Sequence, residues 1–564
     1  MESKLRSDSQ CQANLHSCKL LLNCYIRELV QEFGELILMN ADTMEYAVLF
    51  KASGVTVYGK LSYYSDTGEH EYHSMRWSSK EKIDGLVEYR DLVRWIIREV
   101  SGVAEIRKEK AQSFAERVDN SNRNLALFLE QADELEISDY RTSEQALIYG
   151  HPFHPFPKNS LGFSEMDVRM YSPELRTSFQ LKYFAVRRDM YQEEWVSDEK
   201  KVLLQESLNV QLRDRLGDRS SEYALLPVHP WQYNHVLELA AVQEYVREGK
   251  LIPLGSLGPL AYPTTSVRTV FLPEMNCNIK LPLNMQITNM VRNNSDIQMR
   301  RTLDASRYLL QQDGFGPESP TRIAYETGFT TCRFEEEELT RLFTIAYRPI
   351  EYDTNCTFVL ASLVEAPVPG KPSRLISMLK ADITHIERWF ERYLDLSLLP
   401  IVRIAWEKGI HFEAHLQNTL LSIREGMPTA FIIRDLEGVS VEIEKKSGEL
   451  SSSSPLFYPR EEAWARTSYY FIVNHLGSLI HTIARDVRVM EEHFWRIVHE
   501  VLMQEYLRSG NAYVKYLLTS DVFHAKRNMM SCLWGISETP AYVPVRNMIK
   551  KVGSETSGNH RLFV

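Results

Sequence analysis

The stretch His411-Phe-Glu-Ala-His-Leu-Gln-Asn418 is followed, seventeen residues after its end, by Asp435-Leu-Glu-Gly438. The apolar run 430–434 before the second stretch predicts a strand, so Asp435 lies in a turn at a strand end. An acidic residue five positions before an asparagine, and then an aspartate at a strand end, is the spacing of phosphotransfer sites, where Mg²⁺ takes oxygen ligands from both elements. We therefore predict that Glu413, Asn418 and Asp435 hold Mg²⁺.

Two other interpretations start from the same residues. The first is a kinase-like phosphotransferase, although Glu413 replaces the catalytic Asp of that pattern and the second turn is Asp-Leu-Glu-Gly. The second is a zinc site, because His411 and His415 stand four residues apart. The sequence HFEAH is not the HExxH motif, and the arginines and lysines elsewhere favour an anionic ligand over a hydrolytic metal.

The overall composition excludes several classes of function. The chain has 564 residues and a net charge of −10, which disfavours nucleic acid and anionic membranes as partners. No run of about 18 apolar residues occurs, and residues 1–25 lack the pattern of a signal peptide, so we expect a soluble cytoplasmic protein with no membrane partner. The seven cysteines include no CxxC pair and indicate neither a disulfide framework nor a cysteine-based zinc site.

Three regions that differ in their hydrophobic periodicity predict an α+β protein. Residues 1–145 show mostly helical spacing, interrupted by one hairpin with strands 46–50 and 55–58. Residues 146–375 contain short apolar or β-branched runs punctuated by proline and glycine, which predicts a sheet-rich domain. Residues 376–564 return to long helical patterns and contain the strand 430–434.

The stretch Gly150-His-Pro-Phe-His-Pro-Phe-Pro-Lys158 predicts a rigid, extended loop. Each proline disfavours the α conformation of the residue before it, so two His-Pro pairs cannot lie inside a regular helix. Such a loop would hold His151, His154 and Lys158 in fixed geometry, which suits an anionic ligand. A proline-rich connector with packed histidines is the alternative.

Two further stretches concentrate positive charge. Thr264-Thr-Ser-Val-Arg-Thr269 and the segment from Lys280 to Arg292 place Arg268, Lys280 and Arg292 on two predicted strands and the turn of a following helix. Arginine offers bidentate donors and lysine a compact ammonium, so a polyphosphate or polycarboxylate would bind there. Neither GxxxxGK[ST] nor a strand-linked GxGxxG occurs, so side chains would have to bind any nucleotide. The alternative for each of these cations, taken singly, is an ordinary surface charge.

These motifs together resemble one family. The HPxHPxxK loop, the S-x-R-T segment, the downstream K-L-P and T-N-x-x-R, the E-x-H-x-Q-N stretch and the R-D-x-x-G turn are similar, in this order, to those of the IucA/IucC-type siderophore synthetases, which work independently of nonribosomal peptide synthetases. The motifs span residues 145–440. The resemblance implies a cupped-hand architecture with a helical thumb (1–145), β-sheet fingers (146–375) and a distantly kinase-like α/β palm (376–564).

The resemblance also implies an activity. Such enzymes use ATP and Mg²⁺ to adenylate a carboxylate, usually of citrate, and an amine, hydroxylamine or alcohol then displaces AMP. The implied substrate here is citrate or a citrate monoamide rather than 2-oxoglutarate, and the lysine- and arginine-bearing segments look closer to family members that act on a monoamide. A homodimer is implied as well. The competing hypotheses are the kinase-like phosphotransferase and a non-catalytic binder of siderophore metabolism.

The resemblance assigns roles residue by residue. Catalysis is assigned to Lys280, Arg292 and His415, and substrate binding to Arg292, Arg348, His415 and Gln417. Magnesium is assigned to Glu413, Asn418 and Asp435. The predicted ATP contacts are His154, Lys158, Ser266, Arg268, Thr269, Lys280, Thr288, Asn289, Arg292, Gln417 and Asn418. One position departs from the family pattern, because Ser160 stands where many members carry an arginine two residues after the loop lysine.

Overall fold

The computed structural model confirms the α+β class, with 48% of the chain in helix and 24% in strand. It describes residues 2–79, 85–101, 106–132, 136–202, 206–288, 290–368, 370–380, 382–448, 450–451, 453–535 and 541–557. Within these ranges, none of the helices combines the length and the apolar character that crossing a bilayer requires.

The N-terminal region begins as a layer of helices. Their apolar residues recur at helical spacing and pack into one core, as Leu92, Ile96 and Val100 do on a single helix face. A shorter helix closes the region and starts with a capping box between Asp139 and Thr142. These helices are Glu2–Glu28, Val30–Phe33, Tyr89–Ser101, Lys108–Leu129 and Tyr140–Glu144.

An antiparallel sheet packs against these helices and is larger than the sequence predicted. The predicted hairpin is present, with Phe50 opposite Val55 and Gly54 in the left-handed turn conformation. The prediction missed the other strands of this sheet, because they are short or, in Gly34–Asn40, lack apolar alternation. The six strands are Gly34–Asn40, Glu45–Phe50, Val55–Tyr63, Glu71–Tyr72, Arg76–Ser79 and Gly85–Leu86.

The middle region contains an eight-stranded antiparallel sheet, where the sequence predicted a sheet-rich domain without a strand number. In sheet order its strands are Tyr223–Val228, Phe179–Arg187, Leu251–Pro263, Thr269–Leu272, Cys277–Lys280, Ile345–Pro349, Gly328–Cys332 and Tyr191–Trp195. Thr269 pairs with Lys280, and Asn278 pairs with Arg348, so Lys280 and Arg348 lie on the same face of adjacent strands.

Arg292 lies in a different element from the one predicted. It ends the strand Met290–Arg292, and the next helix, Asp296–Gln311, begins four residues later behind the N-cap Ser295. The expected placement of Arg292 in a helical turn is therefore wrong. The strand pairs with Leu283–Ile287, which also pairs with Ser160–Leu161 from the end of the proline-rich loop. Further helices of the region are Glu165–Tyr171, Glu206–Leu216, Pro230–Leu237, Ala240–Arg247, Glu337–Thr340 and Leu360–Leu363.

A four-stranded sheet positions the stretches 411–418 and 435–438, because two of its strands lie between them in the sequence. The predicted strand 430–434 is confirmed within Met427–Arg434, which pairs antiparallel with Thr419–Arg424 and parallel with Thr321–Ala324. The fourth strand is Thr357–Val359. This sheet therefore combines strands from both sides of residue 375, and the division into three domains stays a prediction.

Helices predicted after residue 376 surround this sheet and form the largest apolar core. Pro459 is the N-cap of a helix that continues without a break through a π-helical segment, Ser468–Leu476. The α-helices are Arg374–Leu379, Ile383–Leu396, Leu398–Lys408, Arg460–Thr467, Gly477–Val487, Glu491–Ser509, Ala512–Thr519, Asn528–Trp534 and Met548–Ser557. The smaller sheets contain Ile410–His411, Ser440–Glu442 and Phe457–Tyr458, and the pair Val522–Lys526 and Tyr542–Arg546.

Candidate active site

One cavity of about 1190 Å³ contains all the motifs that the sequence singled out. Its walls come from the N-terminal region, the eight-stranded sheet, the four-stranded sheet and the C-terminal helices. Asn289 lies outside the described residues. The other predicted site residues all line the cavity: His154, Lys158, Ser266, Arg268, Thr269, Lys280, Thr288, Arg292, Arg348, Glu413, His415, Gln417, Asn418 and Asp435.

Two guanidinium groups, those of buried Arg268 and half-buried Arg292, form the cationic wall of this cavity. Arg268 donates to the Asn294 side chain at 2.8 Å, and Arg292 donates to the Thr288 hydroxyl at 3.0 Å. Burial and the positive charge of Arg268 lower the pKa of Arg292 to about 10. Two like charges held this close favour the binding of an anion with several charges.

Lys280 joins this wall to the turn 435–438, here called the acidic turn. Its ammonium donates to Asp435 at 3.1 Å and to Glu437 at 3.0 Å. Asp435 has a left-handed backbone with φ of 68°, and its side chain stays 35% exposed. Burial would raise the pKa of Asp435, but Lys280 and Arg348 hold it well below its ordinary value, so the carboxylate is charged. The sequence prediction did not include Glu437, although it lies inside the quoted turn.

The predicted magnesium ligands lie in the same part of the cavity. Glu413 contacts Arg466 at 2.5 Å and packs against Gly438, where an added Cβ would lie 2.6 Å from the Glu413 Cγ. The amide of Asn418 donates to the Glu413 carbonyl at 3.3 Å. Among the described residues, no group of three His, Cys, Asp or Glu side chains is arranged to hold a metal ion by itself. The donors do fit Mg²⁺, which usually takes one or two carboxylates together with water and phosphate oxygens.

His415 is a neutral base beside the acidic turn. Burial lowers its pKa to about 4, although the negative charge of Asp435 acts in the opposite direction. At neutral pH the imidazole can therefore accept a proton. Gln417 is fixed by its own donation to the Thr265 carbonyl at 3.0 Å.

The two His-Pro pairs of the loop and a third pair elsewhere in the chain, His229-Pro230, share one local structure. The Nδ1 atoms of His151, His154 and His229 each accept a hydrogen bond from the backbone N–H two residues later, at 3.1, 3.2 and 3.1 Å. Burial lowers the pKa of each of these three histidines to about 3. The predicted loop is therefore present, but it folds into turns at 152–153 and 157–158 instead of running extended, and its two histidines, His151 and His154, are uncharged.

Besides Lys280, two further predicted cations are already paired. Lys158 contacts Glu174 at 2.8 Å and the Leu147 carbonyl at 2.5 Å, so its charge is compensated within the protein. Arg348 forms a buried ion pair with Glu326 and donates to it from Nε at 2.6 Å. Ser160, which replaces an arginine of the family pattern, is buried and accepts a hydrogen bond from Asn124 at 2.9 Å.

Several cavity residues from the C-terminal region, among them Arg466, Tyr470 and Lys526, were missed by the sequence analysis. Arg466 and Tyr470 come from consecutive turns after Pro459, and Lys526 comes from the strand Val522–Lys526. The Lys526 ammonium donates to the Tyr470 hydroxyl, and burial lowers its pKa. No local motif marks these positions, because chain segments far apart in sequence bring them to the cavity.

Comparisons with known proteins agree with this arrangement. The model of the IucA / IucC family matches residues 139–364, and a model described as "Ferric iron reductase FhuF-like transporter" matches residues 387–538. The L-2,3-diaminopropanoate–citrate ligase of Staphylococcus aureus is 33% identical, over 88% of this chain and 90% of its own length. The chain belongs to the IucA / IucC family.

Other relatives and solved structures extend the likeness over nearly the whole chain. The spermidine–citrate ligase of Bacillus anthracis is 26% identical, over 93% of this chain and 96% of its own. The ATP-bound aerobactin synthetase IucA of Klebsiella pneumoniae superposes with a TM-score of 0.84 at 22% identity, covering 95% of this chain and 99% of that one. The petrobactin biosynthesis protein AsbB of Bacillus anthracis superposes with a TM-score of 0.81 at 17% identity, covering 98% of each chain. These two structural matches show a shared fold.

Proposed function

We propose that this protein is an ATP-dependent siderophore synthetase that adenylates a carboxylate of citrate, or of a citrate monoamide, and transfers the acyl group to an amine, hydroxylamine or alcohol. The observation that carries the proposal is a single cavity that combines Arg268, Lys280 and Arg292 with the acidic turn at Asp435 and neutral His415. The relatives named as citrate ligases supply the substrate class.

In the first step, a carboxylate oxygen of the acid attacks the α-phosphorus of ATP and pyrophosphate leaves. Two anions meet in this step, so the cations Arg268, Lys280 and Arg292 stabilise the charge that develops. Asp435 and Glu413, with Asn418, would hold Mg²⁺, which supplies charge neutralisation on the phosphate oxygens. Arg466 and Lys526 add positive charge for the remaining carboxylates of the acid.

In the second step, the acceptor nitrogen or oxygen attacks the acyl carbon and AMP leaves. The adenylate is already a reactive acyl donor, so holding the acceptor in place matters more than acid–base chemistry. His415 would take the proton that the acceptor loses, since its pKa of about 4 keeps it neutral. We further propose that the enzyme works in the cytoplasm as a homodimer, as the resemblance implies.

The experiment is citrate-dependent pyrophosphate release, with hydroxylamine as a small acceptor that traps the acyl group as a hydroxamate. Citrate, a citryl monoamide and 2-oxoglutarate are compared at equal concentration. We expect trapping with citrate or its monoamide. Trapping with 2-oxoglutarate alone would contradict citrate or its monoamide as the substrate. Trapping with citrate alone would exclude only a preference for the monoamide.

A further inference from the structure

The proline-rich loop, residues 150–158, is held at its first residue by a glutamate that the proposed chemistry does not use. The Glu365 carboxylate accepts hydrogen bonds from three consecutive backbone N–H groups. The donors are Ile148 at 2.7 Å to Oε2, and Tyr149 at 2.9 Å and Gly150 at 2.7 Å to Oε1. The side chain of Glu365 is only 8% exposed. A buried carboxylate with backbone donors on both oxygens fixes the direction in which the chain enters the loop.

The two ends of this loop lie against each other. Gly150 has a left-handed backbone with φ of 83°, and a Cβ added there would lie 3.0 Å from the Pro157 Cβ and 3.3 Å from the Lys158 Cε. The Lys158 ammonium reaches back and donates to the Leu147 carbonyl at 2.5 Å. The loop is therefore closed at its base, and Glu365 binds the backbone of that base.

Hydrogen bonds continue from the loop base to the cationic wall. The Asn159 carbonyl accepts from the backbone N–H of Thr288 at 3.1 Å, and the Asn159 side chain donates to the Thr288 carbonyl at 3.1 Å. The Thr288 hydroxyl accepts from Arg292 at 3.0 Å. Thr288 has φ of 55°, a conformation that a non-glycine residue keeps where its surroundings fix it. The position of the Arg292 guanidinium therefore depends on the loop base.

Glu365 itself comes from another part of the fold. It follows the helix Leu360–Leu363, which continues directly from the strand Thr357–Val359 of the four-stranded sheet. That strand pairs with Thr419–Arg424, which begins immediately after Asn418. The carboxylate thus connects the sheet that positions the acidic turn to the loop that positions the cationic wall.

We propose that Glu365 is a positioning residue, which keeps the proline-rich loop and the Arg292 guanidinium in the arrangement that binds the phosphates of ATP. The inference rests on the proposed function above, in which the cationic wall stabilises charge on those phosphates. The role of Glu365 is indirect, because backbone donors occupy both of its oxygens. Displacing a binding group by about 1 Å is enough to cost roughly 100-fold in rate, so a distant anchor has a measurable effect.

Glu365→Gln tests this role at constant size. The amide replaces one carboxylate oxygen by an NH₂ group, so at least one backbone N–H of residues 148–150 then faces a donor. We expect the Kd for Mg-ATP, measured by titration calorimetry without the acid, to rise at least about tenfold. The backbone amides of residues 148–150 should also exchange their hydrogens faster. An unchanged Kd in the folded variant would overturn the proposal.

Glu99→Gln is the matched control. Buried Glu99 also accepts from two consecutive backbone N–H groups, those of Ala52 at 3.1 Å and Ser53 at 3.0 Å, in a hairpin turn outside the cavity. This change should lower the thermal unfolding midpoint and speed exchange at residues 52–53, but leave the Kd for Mg-ATP unchanged. A rise in Kd that merely follows the loss of stability in both variants would show that Glu365 has a structural role only.

Glu365→Asp is the second variant, which carries the same measurements if the glutamine variant does not fold. It keeps both oxygens but withdraws them by one methylene, so we expect a smaller rise in Kd and faster exchange at residues 148–150. Unchanged Kd and unchanged exchange would overturn the proposal. Failure of the unmodified protein to bind Mg-ATP would instead contradict the proposed function.

Discussion

The left-handed backbone of Asp435 brings its carboxylate and that of Glu437 to one ammonium, that of Lys280. A non-glycine residue in this conformation is strained, and such strain is retained where the surrounding structure fixes it, often at functional sites. The Asp435 carboxylate stays charged and partly exposed to the cavity. This combination is what a metal-binding oxygen beside a cationic wall requires.

We expect Asp435→Asn to lower citrate-dependent pyrophosphate release by more than about 100-fold, because it removes a charged oxygen ligand at constant size. The fold should persist, since Glu437 still pairs Lys280. Asp353→Asn changes an exposed carboxylate on the surface and serves as the control. Near-normal release by the Asp435 variant at ordinary Mg²⁺ would show that the residue has another role.

Arg292→Lys tests whether a planar guanidinium is needed in the cationic wall. A single ammonium cannot both donate to Thr288 and contact an anion through two parallel hydrogen bonds. We expect a loss of about 1.5–3 kcal/mol of transition-state binding, or roughly 10- to 150-fold in kcat/KM for ATP and for the acid. Arg300→Lys, in an exposed helical ion pair, is the control. Unchanged kcat/KM for both substrates would place Arg292 outside the site.

The sequence could predict residues that line the cavity, but not the partners of those residues. Glu413, Asn418 and Asp435 stand in a short, recognisable spacing, and all three line the cavity. The ion pairs depend instead on long-range folding: Lys280 and Glu437 are 157 positions apart, and Arg466 and Glu413 are 53 apart. No periodicity connects such positions. For this reason Lys158, predicted to contact the nucleotide, could not be seen to pair with Glu174.

At the scale of elements, a buried ion pair connects the short helix Tyr140–Glu144 to the end of the strand Met427–Arg434. Arg434 binds Glu144 and also donates to the Gln417 carbonyl at 2.8 Å. Both partners are nearly inaccessible to solvent. Burial would raise the pKa of Glu144, but the positive charge of Arg434 outweighs this effect, so the pKa of Glu144 is lower than its ordinary value. This contact fixes the strand end immediately before Asp435.

We expect Glu144→Gln to destabilise the protein by about 3 kcal/mol, because it leaves the buried charge of Arg434 without its counter-ion. The change should appear as a lower thermal unfolding midpoint together with a loss of pyrophosphate release. Glu165→Gln, which removes one partner of an exposed helical pair, should leave the midpoint unchanged. Equal midpoints for the two variants would contradict this account.

A second contact between elements depends on pH. Burial would lower the pKa of His481, but the surrounding carboxylates raise it from 6.5 to about 9. The groups around it are Lys19, Glu69, His70, Glu71, Arg485 and Glu491. A histidine whose pKa is higher in the folded than in the unfolded protein stabilises the fold. This stabilisation is complete at a pH below the pKa of the unfolded state, and it is lost as the pH rises through the pKa of the folded state.

The stability difference between the wild type and His481→Gln is therefore expected to be largest below pH 6.5, at most roughly 3 kcal/mol, and to decline as the pH rises through about 9. Chemical denaturation at pH 6, 8 and 10 measures it. His493→Gln, a half-exposed histidine paired with Glu387, is the control. A difference that stays constant from pH 6 to 10 would show that His481 is not charged in the folded protein.

At the scale of the whole molecule, the site exists only because regions far apart in sequence surround one cavity. The α+β class, the sheet-rich middle and the later helices followed from periodicity and turn residues. The strand Gly34–Asn40 did not, because its contiguous apolar residues show no alternation and Leu36, Ile37 and Leu38 are partly exposed. The pairing of strands from both sides of residue 375 in the four-stranded sheet could not be predicted either, since pairing between distant segments leaves no local signal in the sequence.

We propose that the cavity transfers AMP, rather than a phosphoryl group, to a carboxylate. Citrate labelled with ¹⁸O in its carboxylates tests this directly when the nucleotide products are analysed by mass spectrometry. Attack of the carboxylate on the α-phosphorus predicts pyrophosphate, and AMP that carries one ¹⁸O atom after acyl transfer. ADP as the product, with the ¹⁸O label in inorganic phosphate and none in AMP, would contradict the account and favour a phosphotransferase.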